Sequence, residues 1–74
     1  MAKVKVATEA AGNVWKIVVA VGGRVDADEP VMILESMKME VPVNAPKAGT
    51  VLEILAPEGT AVGEDEVVAI IEAD

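Results

Sequence analysis

Apolar residues in this chain fall into valine-rich runs of about four to seven, separated by Gly, Asp and Pro. Short runs of this kind between turn residues are the pattern of β-strands. Strands are predicted near Lys3–Ala7, Val14–Val21, Val31–Glu35, Glu40–Val43, Val51–Leu55 and Val67–Glu72. Gly22-Gly23 and Gly59 stand where a turn calls for positive φ. Asp28-Glu29 and Asp65-Glu66 each precede a predicted strand and read as solvated turn residues. Pro42, Pro46 and Pro57 belong at turns or sheet edges, where a missing amide donor costs little.

The pattern occurs twice. Shifted by half its length, the chain aligns with itself without a gap. Val4 and Val6 fall on Val41 and Val43, Ala11-Gly12 on Ala48-Gly49, Val14 on Val51, and Ile17 on Ile54. Gly22 falls on Gly59, Val25 on Val62, and Asp28-Glu29 on Asp65-Glu66. Val31, Ile33 and Glu35 fall on Val68, Ile70 and Glu72. Neither copy has two layers of its own, so the valine faces of the two must pack on each other. The expected fold is all-β, a flattened barrel or sandwich with quasi-twofold symmetry, forming one domain over residues 1–74.

Leu34-Glu35-Ser36-Met37-Lys38-Met39-Glu40 contains good helix formers and conflicts with this reading by propensity alone. The repeat places its first residues in a strand, and Val41-Pro42-Val43 ends any helix that follows. Glu35 to Glu40 is therefore predicted to be a hairpin turn. As the junction of the two copies it lies at one pole, with the chain termini at the other, and Lys38 stands at the tip.

Composition narrows the chemistry. With 74 residues the chain is one small domain with a thin core, burying about 60% of its unfolded surface. Trp15 is its one aromatic residue, expected to cover one end of the core. Met1 reads as the start residue and Met32 as a packing residue. There is no Cys and no His, which removes disulfides, thiolate metal sites, a cysteine nucleophile and the commonest general base. Thirteen acids against six bases give a net charge of −7, which disfavours nucleic acid. No apolar run approaches about 18 residues, so no membrane span is expected and the location is read as cytoplasmic. No metal site and no catalytic constellation are visible.

Tight two-residue hairpins favour Asn-Gly or Asp-Gly, because both central residues need positive φ. Here Met37-Lys38 occupies that place. A lysine at a hairpin tip is ordinarily a solubilising charge. Methionines on both sides of it suggest instead a surface that something binds.

Glu35-Ser36-Met37-Lys38-Met39-Glu40 resembles the attachment motif of biotinyl domains, whose core is Met-Lys-Met preceded by Ala or Ser. Val31-Met32-Ile33-Leu34, Val41-Pro42-Val43-Asn44-Ala45-Pro46, Ala48-Gly49-Thr50-Val51 and Gly59-Thr60-Ala61-Val62 are similar to the same family, so the likeness spans nearly the whole chain. It implies two four-stranded sheets, the barrel-sandwich hybrid. The short fourth strands would lie around Gly23–Asp26 and Thr60–Gly63.

The resemblance also implies a carrier and not an enzyme. Lys38 would be biotinylated by a biotin protein ligase that recognises Glu35, Ser36, Met37, Met39 and Glu40. The tethered biotin would shuttle carboxylate between biotin carboxylase and carboxyltransferase components. A lysine amine is ordinarily protonated near neutrality, so the ligase must supply the base. The Gly12–Gly22 interval equals Gly49–Gly59, leaving no room for the thumb of some acetyl-CoA carboxylase carriers. The chain looks like thumbless biotinyl domains or a small stand-alone biotin/lipoyl attachment protein, and a monomer is expected. Lipoyl domains place lysine at the same tip, usually as Asp-Lys-Ala, so lipoate on Lys38 is the alternative. An unmodified interaction module is the other.

Overall fold

The computed structural model describes residues 2–74. Met1 lies outside the described residues. Eight strands follow one another: β1 Ala2–Ala7, β2 Gly12–Ile17, β3 Arg24–Val25, β4 Pro30–Ser36, β5 Met39–Asn44, β6 Gly49–Ile54, β7 Ala61–Val62 and β8 Val67–Ala73. They form two four-stranded antiparallel sheets, ordered β1-β8-β6-β3 and β5-β4-β2-β7. Exchanging β1 to β4 with β5 to β8 converts one order into the other, so the sequence repeat is a pseudo-twofold axis. Each sheet contains two strands from each copy, which leaves neither copy a sheet of its own.

The core shows the same symmetry. Val6, Val14, Val25, Val31 and Leu34 are buried, and so are their equivalents Val43, Val51, Val62, Val68 and Ile71. Full burial of a Val, Leu or Ile side chain is worth about 1.5–3 kcal/mol. Short strands filled with branched aliphatics thus compensate for the lack of aromatic mass.

Two sequence expectations need correction. The second strand ends at Ile17 and does not continue to Val21. The amides of Val18 and Val19 both donate to the Val31 carbonyl, which takes the chain off the ladder. The segment then crosses to the other sheet, where the Gly22 amide donates to the Val51 carbonyl. Val18 and Val21 are exposed, so this apolar run is a crossover and not a strand. Trp15 does not cover the core either; it is 51% exposed. It is the extra residue of a β-bulge, since Val14 pairs with Leu34 and Lys16 with the adjacent Ile33. Val14 already fills the inward position, and the indole is left outside. Leu52 is its equivalent in the β6 bulge.

The Asp-Glu pairs do more than face solvent. Asp28 and Asp65 adopt φ of 66° and 55°. The amides of Asp26 and Gly63 donate to Glu29 Oε1 and Glu66 Oε1 across these turns. Among the described residues, no helix is long and apolar enough to cross a membrane.

Candidate functional site at the β4–β5 hairpin

β4 and β5 pair in register, with Ser36 opposite Met39, Glu35 opposite Glu40 and Leu34 opposite Val41. Only Met37 and Lys38 remain for the turn, at φ of 52° and 65°. Positive φ at both central positions marks a type I′ hairpin, whose twist matches that of the flanking strands. Non-glycine residues in this region cost of order 1–3 kcal/mol each. Leu34 is fully buried directly below, and the paired register over-determines the turn above it.

The predicted site residues come together here. Met37 is 93% exposed and Met39 66%; Glu35, Lys38 and Glu40 are exposed, and Ser36 is half-buried. Among the described residues the sole ion pair joins Arg24 to Asp74, so Lys38 is not held by a carboxylate. Lys3, Lys5, Lys16 and Lys47 are exposed too, but none has a positive φ.

Sequence reasoning missed two neighbours. Asn13 on β2 lies opposite Glu35 and, on its other side, opposite Ala61 of β7. Gly12 packs so closely under β4 that a Cβ there would lie 2.7 Å from the Glu35 carbonyl oxygen. The signal available was the alignment of Gly12 with Gly49, where an added Cβ would collide with the Glu72 carbonyl oxygen.

Chemically the site offers one primary amine on a projecting turn, two thioethers and two carboxylates. A depression of about 60 Å³ lined by Ala7, Glu9, Pro42, Val43 and Asn44 lies toward the opposite end of β5. Ligand pockets usually occupy about 300–1,000 Å³. The arrangement suits presentation of a group to another protein.

Residues 3–71 match the family described as Biotin-requiring enzyme. The chain belongs to this biotin/lipoyl attachment family. Among its relatives, the Biotin/lipoyl attachment protein of Bacillus subtilis is 44% identical over 62 residues, covering 84% of this chain and 85% of that protein. The Biotin carboxyl carrier protein of Streptococcus mutans is 45% identical over 51 residues, 69% of this chain and 39% of that one. The crystal structure of the Kluyveromyces lactis urea carboxylase contains a similar fold, with a TM-score of 0.91 and 39% identity. That match covers 97% of this chain and 6% of the carboxylase. The family's two-sheet architecture, including the short strands β3 and β7, is therefore present in full.

Proposed function

We propose that the chain is a single carrier domain biotinylated on Lys38. The observation that carries this is the Met37-Lys38 turn: Lys38 is the one lysine in a left-handed conformation at a hairpin tip. A biotin protein ligase forms the amide. Neutral Lys38 Nζ attacks the carboxyl carbon of biotinyl-adenylate, the bond to the phosphate oxygen breaks, AMP leaves with its electron pair, and the amine's proton passes to a base on the ligase. The chain supplies the amine, and Glu35, Ser36, Met37, Met39 and Glu40 form the surface the ligase reads. The partners that load and unload the tethered biotin are biotin carboxylase and carboxyltransferase components. Tethering raises the cofactor's effective concentration at both centres. The domain works as a monomer and performs no bond chemistry of its own.

Lipoate is the second reading, favoured by 44% identity to a relative named for both groups. Incubating wild type and Lys38→Arg with biotin ligase, or with lipoyl ligase, and measuring intact mass tests both. The expected result is one biotin on wild type and none on Lys38→Arg. Biotin on the variant would move the attachment to another lysine, and lipoate alone on wild type would establish the second reading.

A further inference from the structure

The molecule sorts its described methionines sharply. Met37 is 93% exposed and Met39 66%, whereas Met32 is 0% exposed within the core. Topology explains the difference. Met32 lies inside β4, with β2 on one side and β5 on the other. Met37 is lifted off the sheet by its turn, and Met39 begins an edge strand beside it. Neither belongs to the core cluster. The chain has no cysteine, so no thiol intercepts an oxidant before these thioethers.

We propose that Met37 and Met39 form a peroxide-reactive modification site, and that their oxidation to sulfoxide suppresses acylation of Lys38. The inference rests on the attachment reading above. The thioether sulfur attacks one oxygen of the peroxide; an S–O bond forms and the O–O bond breaks. Sulfur is oxidised by two electrons, and the peroxide is reduced to water, or to an alcohol if it is an organic hydroperoxide. A thiol-dependent sulfoxide reductase reverses the step with two electrons and two protons, releasing water.

The sulfoxide replaces a flexible apolar side chain with a polar, chiral one. A ligase surface that accommodates two thioethers then has to desolvate an S=O group without a partner for it. The amine and the backbone of the turn are untouched, so recognition is lost while access remains.

The test uses unmodified protein treated with graded hydrogen peroxide, followed by catalase, peptide mapping and ligation with biotin ligase. Met37 should oxidise first and Met39 next, with Met32 spared while the fold persists. The ligation rate should fall at least tenfold with sulfoxide formation, and methionine sulfoxide reductase with a thiol should restore it. An amine-acylating ester should modify Lys38 equally before and after oxidation. Met37→Leu with Met39→Leu keeps apolar volume, and its treated-to-untreated rate ratio should stay near one. If that variant is too poor a substrate to measure, reductase rescue of wild type decides. Oxidation of Met32 as fast as Met37, or an unchanged ligation rate after oxidation, overturns the proposal. Failure of the attachment reading looks different, because untreated wild type is then unlabelled from the start.

Discussion

Glu35 on β4 lies directly opposite Glu40 on β5, whereas at the twofold-related place Glu72 on β8 lies opposite Lys3 on β1. Glu35 and Glu72 are equivalent in the repeat and identical, whereas their partners Glu40 and Lys3 are equivalent in position but opposite in charge. Nearby, Pro42 stands where the other copy has Lys5, and Ala61 where it has Arg24. One pole thus carries interleaved charges and the Arg24–Asp74 pair, while the Lys38 pole keeps an uncompensated carboxylate pair. Like charges directly across a strand pair are destabilising. In a chain built from two similar halves, the surface around Lys38 has departed from the arrangement that best stabilises the sheet.

Glu40→Lys restores the opposite-charge pairing found at Lys3–Glu72. It should raise unfolding free energy by about 0.2–1 kcal/mol at low salt, the range for cross-strand pairs, with the gain shrinking as salt screens it. Ligation should become slower if Glu40 belongs to the proposed ligase-recognition surface. Lys3→Glu should lower stability by a similar amount and leave ligation alone. Urea melts and ligation rates on the two variants check this, and a destabilised Glu40→Lys would contradict it.

Gly12 and Gly49 are equivalent, but alanine should affect them differently. At Gly49 the new Cβ collides with the Glu72 carbonyl oxygen and lies 2.8 Å from Ile71 Cγ2, so β8 has to move. Overpacking of this kind costs about 1–3 kcal/mol. At Gly12 the nearest atom is the Glu35 carbonyl oxygen at 2.7 Å, and the strand that must yield is the base of the Lys38 hairpin. Gly12→Ala should therefore lose less stability than Gly49→Ala yet lose more ligation. Thermal melts paired with ligation rates separate the two effects; equal ligation losses would remove Gly12 from the site.

Gly59 and Gly22 present the opposite situation. Their φ values are 89° and 90°, and a Cβ would meet nothing within 4 Å. Any penalty there is conformational. Gly59→Val should cost about 1–3 kcal/mol, while Gly63→Ala, without positive φ and with only Glu66 Oε1 at 3.8 Å, should be nearly neutral. Unaltered thermal stability in Gly59→Val would contradict this account of the turn.

The Arg24–Asp74 pair should leave a signature in acid. A hydrogen bond from the Arg24 guanidinium is the main cause that holds the Asp74 carboxyl below its ordinary 3.8, and the same bond raises the Arg24 value. A depressed folded-state value adds stability above the unfolded carboxyl's range, and that stability is lost as pH falls through the folded value. Arg24 stays protonated throughout. The difference in urea midpoint between wild type and Arg24→Ala should therefore be constant near neutrality and close as pH drops below about 4. A difference independent of pH down to 2 would assign the Arg24 contribution to packing.

The repeat made the architecture legible, because aligned valines and glycines fix which faces meet. The Lys38 turn was legible for the same reason: the repeat overrode the helix propensity of residues 34–40. The strand end at Ile17 was not, since Val18–Val21 is as apolar as a strand and leaves the sheet through a shared carbonyl. Trp15 was misplaced because a bulge changes which face a residue occupies without altering composition. Gly12 and Asn13 reach the site through pairing with β4, a long-range fact that no local pattern carries.

The position of the lysine, beyond its presence, should decide attachment. Met37 and Lys38 share the left-handed conformation at φ of 52° and 65°, and both are exposed. Exchanging them, as Met37→Lys with Lys38→Met, keeps composition, charge and strand register, and stability should change by no more than about 0.5 kcal/mol. The amine then leaves the turn one residue earlier and points in another direction, since successive side chains near a strand end diverge. A ligase that binds the hairpin by its flanking strands presents its adenylate where Lys38 Nζ was, and a near-attack geometry tolerates little displacement. Biotinylation should fall by about a hundredfold or more, the order of loss that a misplacement near 1 Å can cause. An amine-acylating ester should still modify the moved lysine at the wild-type rate, which separates lost geometry from lost access. Equal ligation of the exchanged and native tips would make Lys38 one exposed amine among five and remove the turn from the mechanism.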